Sequence, residues 1–328
     1  MAQSVLTYSG NAALPYMGDK ASDVLPANVE RVVGSVGILE VRPDVYMLTV
    51  DGNNLAVFTG VQSTLVIDSG ASHCDDVVKA INSIAKAPVR YIVLTGPSAD
   101  RVGCSGPLRD AGERMPAAYI QQTGAEIIGH ENTASRMAEQ TGLPSTAGAP
   151  EDMYTRSTLG FAVNDQSIQV ISMPAAHTDG DSVVLLRRAD VVVTGDVFDV
   201  TRFPVIDIEH GGSIQGEIDA LNRLLTDLVV PSTPKWEGRY GTLVIPARGR
   251  LSNQTDIVLY RDMITVIRDR ISALIAEGKS LAEVQAADPT RGYAPRFGSQ
   301  TEPWTTSEFV AAVYASLTAD SPAKRKGG

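Results

Sequence analysis

The segment richest in chemistry is Tyr91-Ile-Val-Leu-Thr-Gly-Pro-Ser-Ala-Asp-Arg-Val-Gly-Cys-Ser-Gly106, where an apolar run passes directly into a polar loop holding Ser98, Asp100, Arg101 and Cys104. Tyr91 to Leu94 carry the pattern of a strand covered on both faces, and Gly96-Pro97-Ser98 ends it. Loops at the ends of such strands are where scaffolds of this kind hold reactive side chains. Three further segments carry polar ends: Val193-Thr-Gly-Asp196, Val244-Ile-Pro-Ala-Arg248 and the turn-like Ala176-His177-Thr-Asp-Gly-Asp181. Converging on one edge, the four loops would form one site, with groups suited to acid–base work, nucleophilic attack or charge recognition.

Short strands follow one another from Gly34: Gly37 to Val41, Val45 to Val50, Leu55 to Thr59 and Ser63 to Asp68, with Asp51-Gly-Asn-Asn composed as a tight hairpin turn. Cys74 to Ala85 places Val77, Val78, Ile81 and Ile84 on one helical face. After the Tyr91 strand come a short helix over Pro107 to Gly112, a strand from Gly124, a helix over Glu131 to Gln140, and a loop over Thr141 to Thr155. Strands resume at Ser167, Ser182 and Asp190, then a helix over Ile214 to Leu228 capped by Ser213, and a last core strand at Thr242. Thr255 to Glu277 is the longest periodic helix, with Leu281 to Ala287 and Trp304 to Leu317 packed outside it. Strand-rich, helix-ending halves occur twice, which predicts an α+β, four-layer αββα sandwich. Residues 1–35 read as an irregular arm, 36–253 as the core, and 254–328 as a C-terminal helical extension with a disordered tail.

A formal charge of −10 argues against nucleic-acid and anionic-membrane partners. No secretory leader or stretch of eighteen apolar residues is present, so the expected location is cytoplasmic. Cys74 and Cys104 are too few and too far apart for a disulfide framework or a Cys-x-x-Cys metal site, and read as small buried hydrophobes. His73, His130 and His210 have no ligand spacing to another histidine.

Ser63-Thr-Leu-Val-Ile-Asp-Ser-Gly, Pro174-Ala-Ala-His-Thr-Asp-Gly-Asp, Val193-Thr-Gly-Asp and Val244-Ile-Pro-Ala-Arg-Gly, taken in order, resemble the signature segments of the metallo-β-lactamase superfamily. Gly211-Gly-Ser-Ile-Gln-Gly, Ala287-Asp-Pro-Thr and Trp304-Thr-Thr are similar to a subgroup related to the glyoxalase-II-like hydrolases, and the likeness runs from about residue 43 to 317. It implies the metallo-β-lactamase version of the sandwich and a dinuclear metal site. Against the family's T-H-x-H-x-D-H motif, however, Thr95-Gly-Pro-Ser-Ala-Asp-Arg101 has lost every histidine, and Arg248 stands where another belongs. Only Asp100, His177 and the bridging Asp196 remain of the implied ligands.

A catalytic zinc needs three protein ligands and an open position, and a guanidinium cannot supply one. The resemblance therefore implies a degenerate site, metal-free, in which Arg101 and Arg248 pair with Asp100 and Asp196 and favour a small anionic ligand, with no cofactor; Asp68 would orient the loops. The alternatives are an active enzyme acting on an ester, thioester, lactone or biosynthetic intermediate, by a Ser98–His177 dyad or by one weakly bound divalent metal on Asp100, His177 and Asp196. A purely structural role beside a second copy or a related subunit is the third.

Overall fold

The computed structural model describes residues 31–114, 123–140, 148–231, 241–301 and 303–319. The first sheet has eight strands in sequence order: β1 (Arg31–Val33), β2 (Val36–Arg42), β3 (Val45–Val50), β4 (Asn53–Thr59), β5 (Thr64–Ile67), β6 (Val89–Leu94), β7 (Glu126–His130) and β8 (Asp152–Tyr154). The first five are antiparallel neighbours; β5 to β8 run parallel. The second sheet has the order β13-β12-β11-β10-β9, built from β9 (Thr158–Val163), β10 (Gln166–Ser172), β11 (Ser182–Leu186), β12 (Val191–Val193) and β13 (Leu243–Ile245). The β12–β13 pair is parallel.

Alternation of side chains across each strand explains the layering. Val93 enters the core between the sheets with Met47, Leu65, Ile67, Val184 and Val193. Its neighbours Ile92 and Leu94 face the other way, toward Val77 and Ile81 of α1 (Cys74–Ile84). Behind the second sheet, Ile214, Ile218 and Leu221 of α5 (Ile214–Arg223) pack with Ile257, Tyr260 and Ile264 of the long helix α6 (Gln254–Ala276). The remaining helices are α2 (Ala99–Val102), α3 (Ser105–Ala111), α4 (Glu131–Glu139), α7 (Leu281–Ala286), α8 (Ala294–Phe297) and α9 (Thr306–Ala319). The order is helix, sheet, sheet, helix, the αββα sandwich. Among the described residues no helix is long and apolar enough to cross a membrane.

Several local expectations are met for the reasons given. Asp51 and Gly52 both have positive φ, 49° and 77°, as the two-residue β3–β4 hairpin requires. The Ser213 hydroxyl accepts from Gly216 N at 2.9 Å and caps α5. Two expectations fail at edges. β1 lies inside the stretch read as an irregular arm: Gly34, at φ 56°, turns the chain so that Val33 pairs with Val36, and Arg31 reaches the Ser83 hydroxyl at 2.9 Å. β8 lies inside the Thr141–Thr155 segment read as a loop. It has little apolar pattern of its own, and its pairing to β7 makes it a strand. Residues 1–30, 141–147 and the tail from 320 lie outside the described residues, as do the expectations made of them.

The cysteines are corrected outright. Cys74, at the start of α1, and Cys104, after α2, have Cα atoms 5.2 Å apart and form a disulfide. They stand 30 positions apart in sequence, but the β5–α1 and β6–α2 connections leave the same sheet edge and bring them together. Disulfides persist in oxidising compartments, which sets this bond against the cytoplasmic expectation.

Candidate functional site

All four polar segments emerge at one edge of the sandwich, because β6, β10, β12 and β13 end there. The edge is tied together before any site residue is considered. Thr95 O, beyond β6, accepts Ser182 N at 2.7 Å from the second sheet, and Asn54 N donates to Ala247 O at 2.8 Å. The Asn54 side-chain amide adds bonds to Pro246 O at 3.0 Å and Gly249 O at 2.9 Å, fixing the β13 loop to the β4 hairpin. Ser69 holds the backbone of α2 through Arg101 O at 2.9 Å, and the disulfide clamps the end of that helix.

One turn of helix α2 sends Asp100 outward and Arg101 inward. Arg101 is 1% exposed, the largest fully buried side chain among the described residues. Its guanidinium donates to Asn54 O at 2.9 Å, and to Asp68, Asn53 Oδ1 and Ala247 O, each at 3.3 Å. Its Nε lies 3.5 Å from Asp196 Oδ1. Burial alone would lower the arginine's pKa, but Asp196, Asp68 and Asp100 outweigh it and hold the charge in place. Asp68 also takes the Thr95 N–H and hydroxyl at 2.8 Å; burial pushes it up to about 6 against the pull of Arg101 and Thr95. Arg248 closes on Asp100, which also accepts from the Asn53 amide at 3.2 Å.

Asp196 sits in a 3-10 turn, Gly195–Val197, at the end of β12. Ser98 Oγ donates to its Oδ2 at 2.5 Å. Burial would raise this carboxyl, yet Arg101, His177, the Ser98 hydroxyl and Arg202 keep it below the usual carboxylate range. His177 Nδ1 faces Val205 O at 2.8 Å. A carbonyl can only accept, so Nδ1 carries the proton and Nε2 is the acceptor in the neutral ring. Burial would lower its pKa, but Asp181, Asp196 and the Val205 carbonyl raise it. Asp181, pushed up to about 7 by burial, accepts Thr178 N at 2.6 Å and organises the turn. The other histidines have structural work: His130 accepts the Asn132 N–H that opens α4, His210 pairs with Asp207 at 2.6 Å, and His73 with Asp51 at 3.5 Å.

These groups frame a cavity of about 230 Å³. Its lining combines polar Ser98, Asp100, His177, Asp196, Asp199 and Arg202 with apolar Pro204, Val205, Ala247, Pro303 and Trp304. Asp199 is held by Thr201 and by Arg202 Nε at 3.0 Å. Each lining carboxylate has a guanidinium beside it: Asp100 has Arg248, Asp196 has Arg101, which it shares with Asp68, and Asp199 has Arg202.

These residues do not fit a dinuclear metal centre. The Arg101 guanidinium lies against Asp196, and Arg248 takes up Asp100, so two of the three remaining family ligands face cations. Among the described residues no group of three or more His, Cys, Asp or Glu is arranged to hold a metal ion. At position 96 even a Cβ would stand 3.1 Å from Asp181 Oδ1, so a histidine there would press on that carboxylate.

Comparison with solved structures gives the same architecture. A metallo-β-lactamase from Pontibacter korlensis superposes with a TM-score of 0.54 at 18% identity, over 70% of this chain and 99% of that one. The chain carries the metallo-β-lactamase fold. A double mutant of the sec-alkyl sulfatase PisA1 gives 0.64 at 13% identity over 89% of this chain, and the stereoselective inverting sec-alkylsulfatase Pisa1 from Pseudomonas sp. gives 0.62 at 14% over 85%. This chain spans about half the length of those two, 52% and 50%. No protein-family model and no curated protein sequence matches.

Of the residues singled out from sequence, Ser98, Asp100, His177 and Asp196 line one cavity. Arg101, expected to bind a ligand, is instead buried and turned to five internal partners, outside the cavity lining. Arg248 is likewise turned to Asp100 and is absent from the lining. Ser98 is bonded to Asp196, so the Ser98–His177 dyad is not formed. Missed were Arg202, six residues past Asp196, and Trp304, in the turn before α9. Only their nearness to a strand end and a recognised segment could have flagged them.

Proposed function

We propose that this protein binds a small organic anion in a metal-free pocket, with Arg202 as the contact for the anion. The observation that carries this is the state of the charges. Each lining carboxylate already has an internal partner: Asp100 has Arg248, Asp196 has Arg101 and Ser98, Asp199 has Thr201 and the Nε of Arg202. The terminal nitrogens of Arg202 have no protein partner among the described residues, and a guanidinium fork suits a sulfate, sulfonate, phosphate or carboxylate. With a guanidinium beside each lining carboxylate, the pocket has little to attract a divalent cation. The names of two structural neighbours, sec-alkylsulfatases, add sulfate esters to the candidates.

Calorimetric titration with methanesulfonate tests this. Wild type is expected to show one saturable site, weakened about tenfold or more in Arg202→Gln, the loss of one charge-assisted contact. Equal binding by the two overturns the proposal. A second reading rests on His177, which lines the same cavity and, with Nδ1 on the Val205 carbonyl, leaves Nε2 as the acceptor: metal-free turnover of an ester, thioester or lactone. Hydrolysis across such a panel, abolished in His177→Ala, would support it.

A further inference from the structure

The cavity is assembled from two parts of the chain that differ in chemistry. Its polar residues belong to the sandwich, as do Pro204, Val205 and Ala247; Pro303 and Trp304 come from the C-terminal segment, between α8 and α9. That turn is held firmly. Ser299 and Thr306 exchange bonds at 2.8 and 3.1 Å across it, and Thr305 N and Oγ1 meet Glu308 at 2.6 and 2.7 Å. Phe203, next to Arg202, is fixed as well: its N–H bonds Phe297 O at 3.1 Å, and its ring stacks on Phe309 at 4.6 Å. Arg202 and Trp304 are thus carried by segments packed on each other.

Trp304 also has a donor left over, since its Nε1 is buried without an acceptor among the described residues. Buried indole N–H groups ordinarily find one. Trp304, Pro303, Pro204 and Val205 lining one cavity with Arg202 supply what a site for an amphiphile needs, apolar surface for a body and a charge for a head group.

Resting on the anion-binding reading, we infer that the ligand is a monoanion with an apolar body of about aromatic-ring size, its head group on Arg202 and its body against Trp304 and Pro303, so that the C-terminal segment sets specificity. Full-length protein is titrated with methanesulfonate, hexanesulfonate and benzenesulfonate. The two larger sulfonates are expected to bind about tenfold tighter than methanesulfonate, the gain of burying about two methylene equivalents against an aromatic wall. Trp304→Ala should remove most of that advantage while weakening methanesulfonate less than about threefold, and Trp304→Phe should keep much of it for benzenesulfonate. Methanesulfonate binding with no gain for the larger sulfonates overturns this inference and leaves the anion reading standing. So does a Trp304→Ala loss equal for all three. Failure of every sulfonate to bind overturns the anion reading itself. The comparison among ligands on wild-type protein needs no variant to fold.

Discussion

Replacing Arg101 with methionine keeps the volume of the side chain and removes its charge. The consequence can be worked from its surroundings. Asp68 is wholly buried and the Asp196 side chain is 10% exposed, and both face the guanidinium. Ala247 O keeps the Asn54 N–H, and Asp68 keeps its Thr95 donors, so hydrogen bonding is only partly lost. What remains is two carboxylates without their cation. Breaking a buried pair in this way costs about 3–5 kcal/mol. With a urea slope of roughly 3 kcal/mol/M, the unfolding midpoint should fall by about 1–2 M. The loss should be largest at pH 8 and shrink toward pH 5. The freed carboxyls would have raised pKa values in the folded state, which then binds more protons than the unfolded chain, so stability falls as pH rises. Arg101→Met combined with Asp68→Asn and Asp196→Asn should recover most of the deficit, since no bare charge is left. A stability at pH 8 within about 1 kcal/mol of wild type, or no recovery in the triple variant, would refute the view that Arg101 neutralises this cluster.

Two further outcomes follow from buried groups elsewhere. Closing a loop across a separation of 30 residues, the Cys74–Cys104 bond should contribute about 3–4 kcal/mol; Cys74→Ala/Cys104→Ala should lose roughly that in denaturant titration, and alkylation of unreduced, denatured protein should add no mass. Two adducts per chain would show free thiols instead. Glu217, 0% exposed, has no hydrogen-bond partner for either carboxyl oxygen among the described residues, and burial followed by repulsion from Asp181 and Asp196 holds its pKa well above the usual 4.5. Its folded form keeps a proton that the unfolded chain gives up above pH 4.5, so this group erodes stability as pH rises. Glu217→Leu should therefore be more stable than wild type by about 1–3 kcal/mol at pH 8, with a smaller gain at pH 5; a loss at pH 8 would mean that Glu217 has a partner.

The sandwich could be read from the chain because its determinants are local and periodic. Ile92, Val93 and Leu94 announce a strand buried on both faces, Val77 and Ile81 a helix packed on it, and Asp51-Gly52 the tight turn between β3 and β4. The convergence of the loops was legible too, as parallel strands leave by one edge. The disulfide was not, because spacing along the chain does not measure distance across a sheet edge. Nor was the direction of the arginines. Residue type gave Arg101 a charge to offer, whereas the one-turn helix Ala99–Val102 aims it into the interior and leaves Arg202 to meet the cavity. Glu217 reads as an ordinary acid in the first turn of α5, where the helix dipole favours it. Its burial emerges only once α5 is docked, with Gly216 pressed close to the Ala175 carbonyl.

Metal content decides the central claim most directly. Full-length protein purified without added metal or chelator, and dialysed, is measured by elemental analysis and then titrated calorimetrically with zinc at neutral pH. A pocket neutralised by Arg101 and Arg248 should carry far less than one equivalent of any transition metal and show no saturable zinc site. Stoichiometric zinc or iron that survives dialysis, and is lost when His177 or Asp196 is replaced, would contradict it.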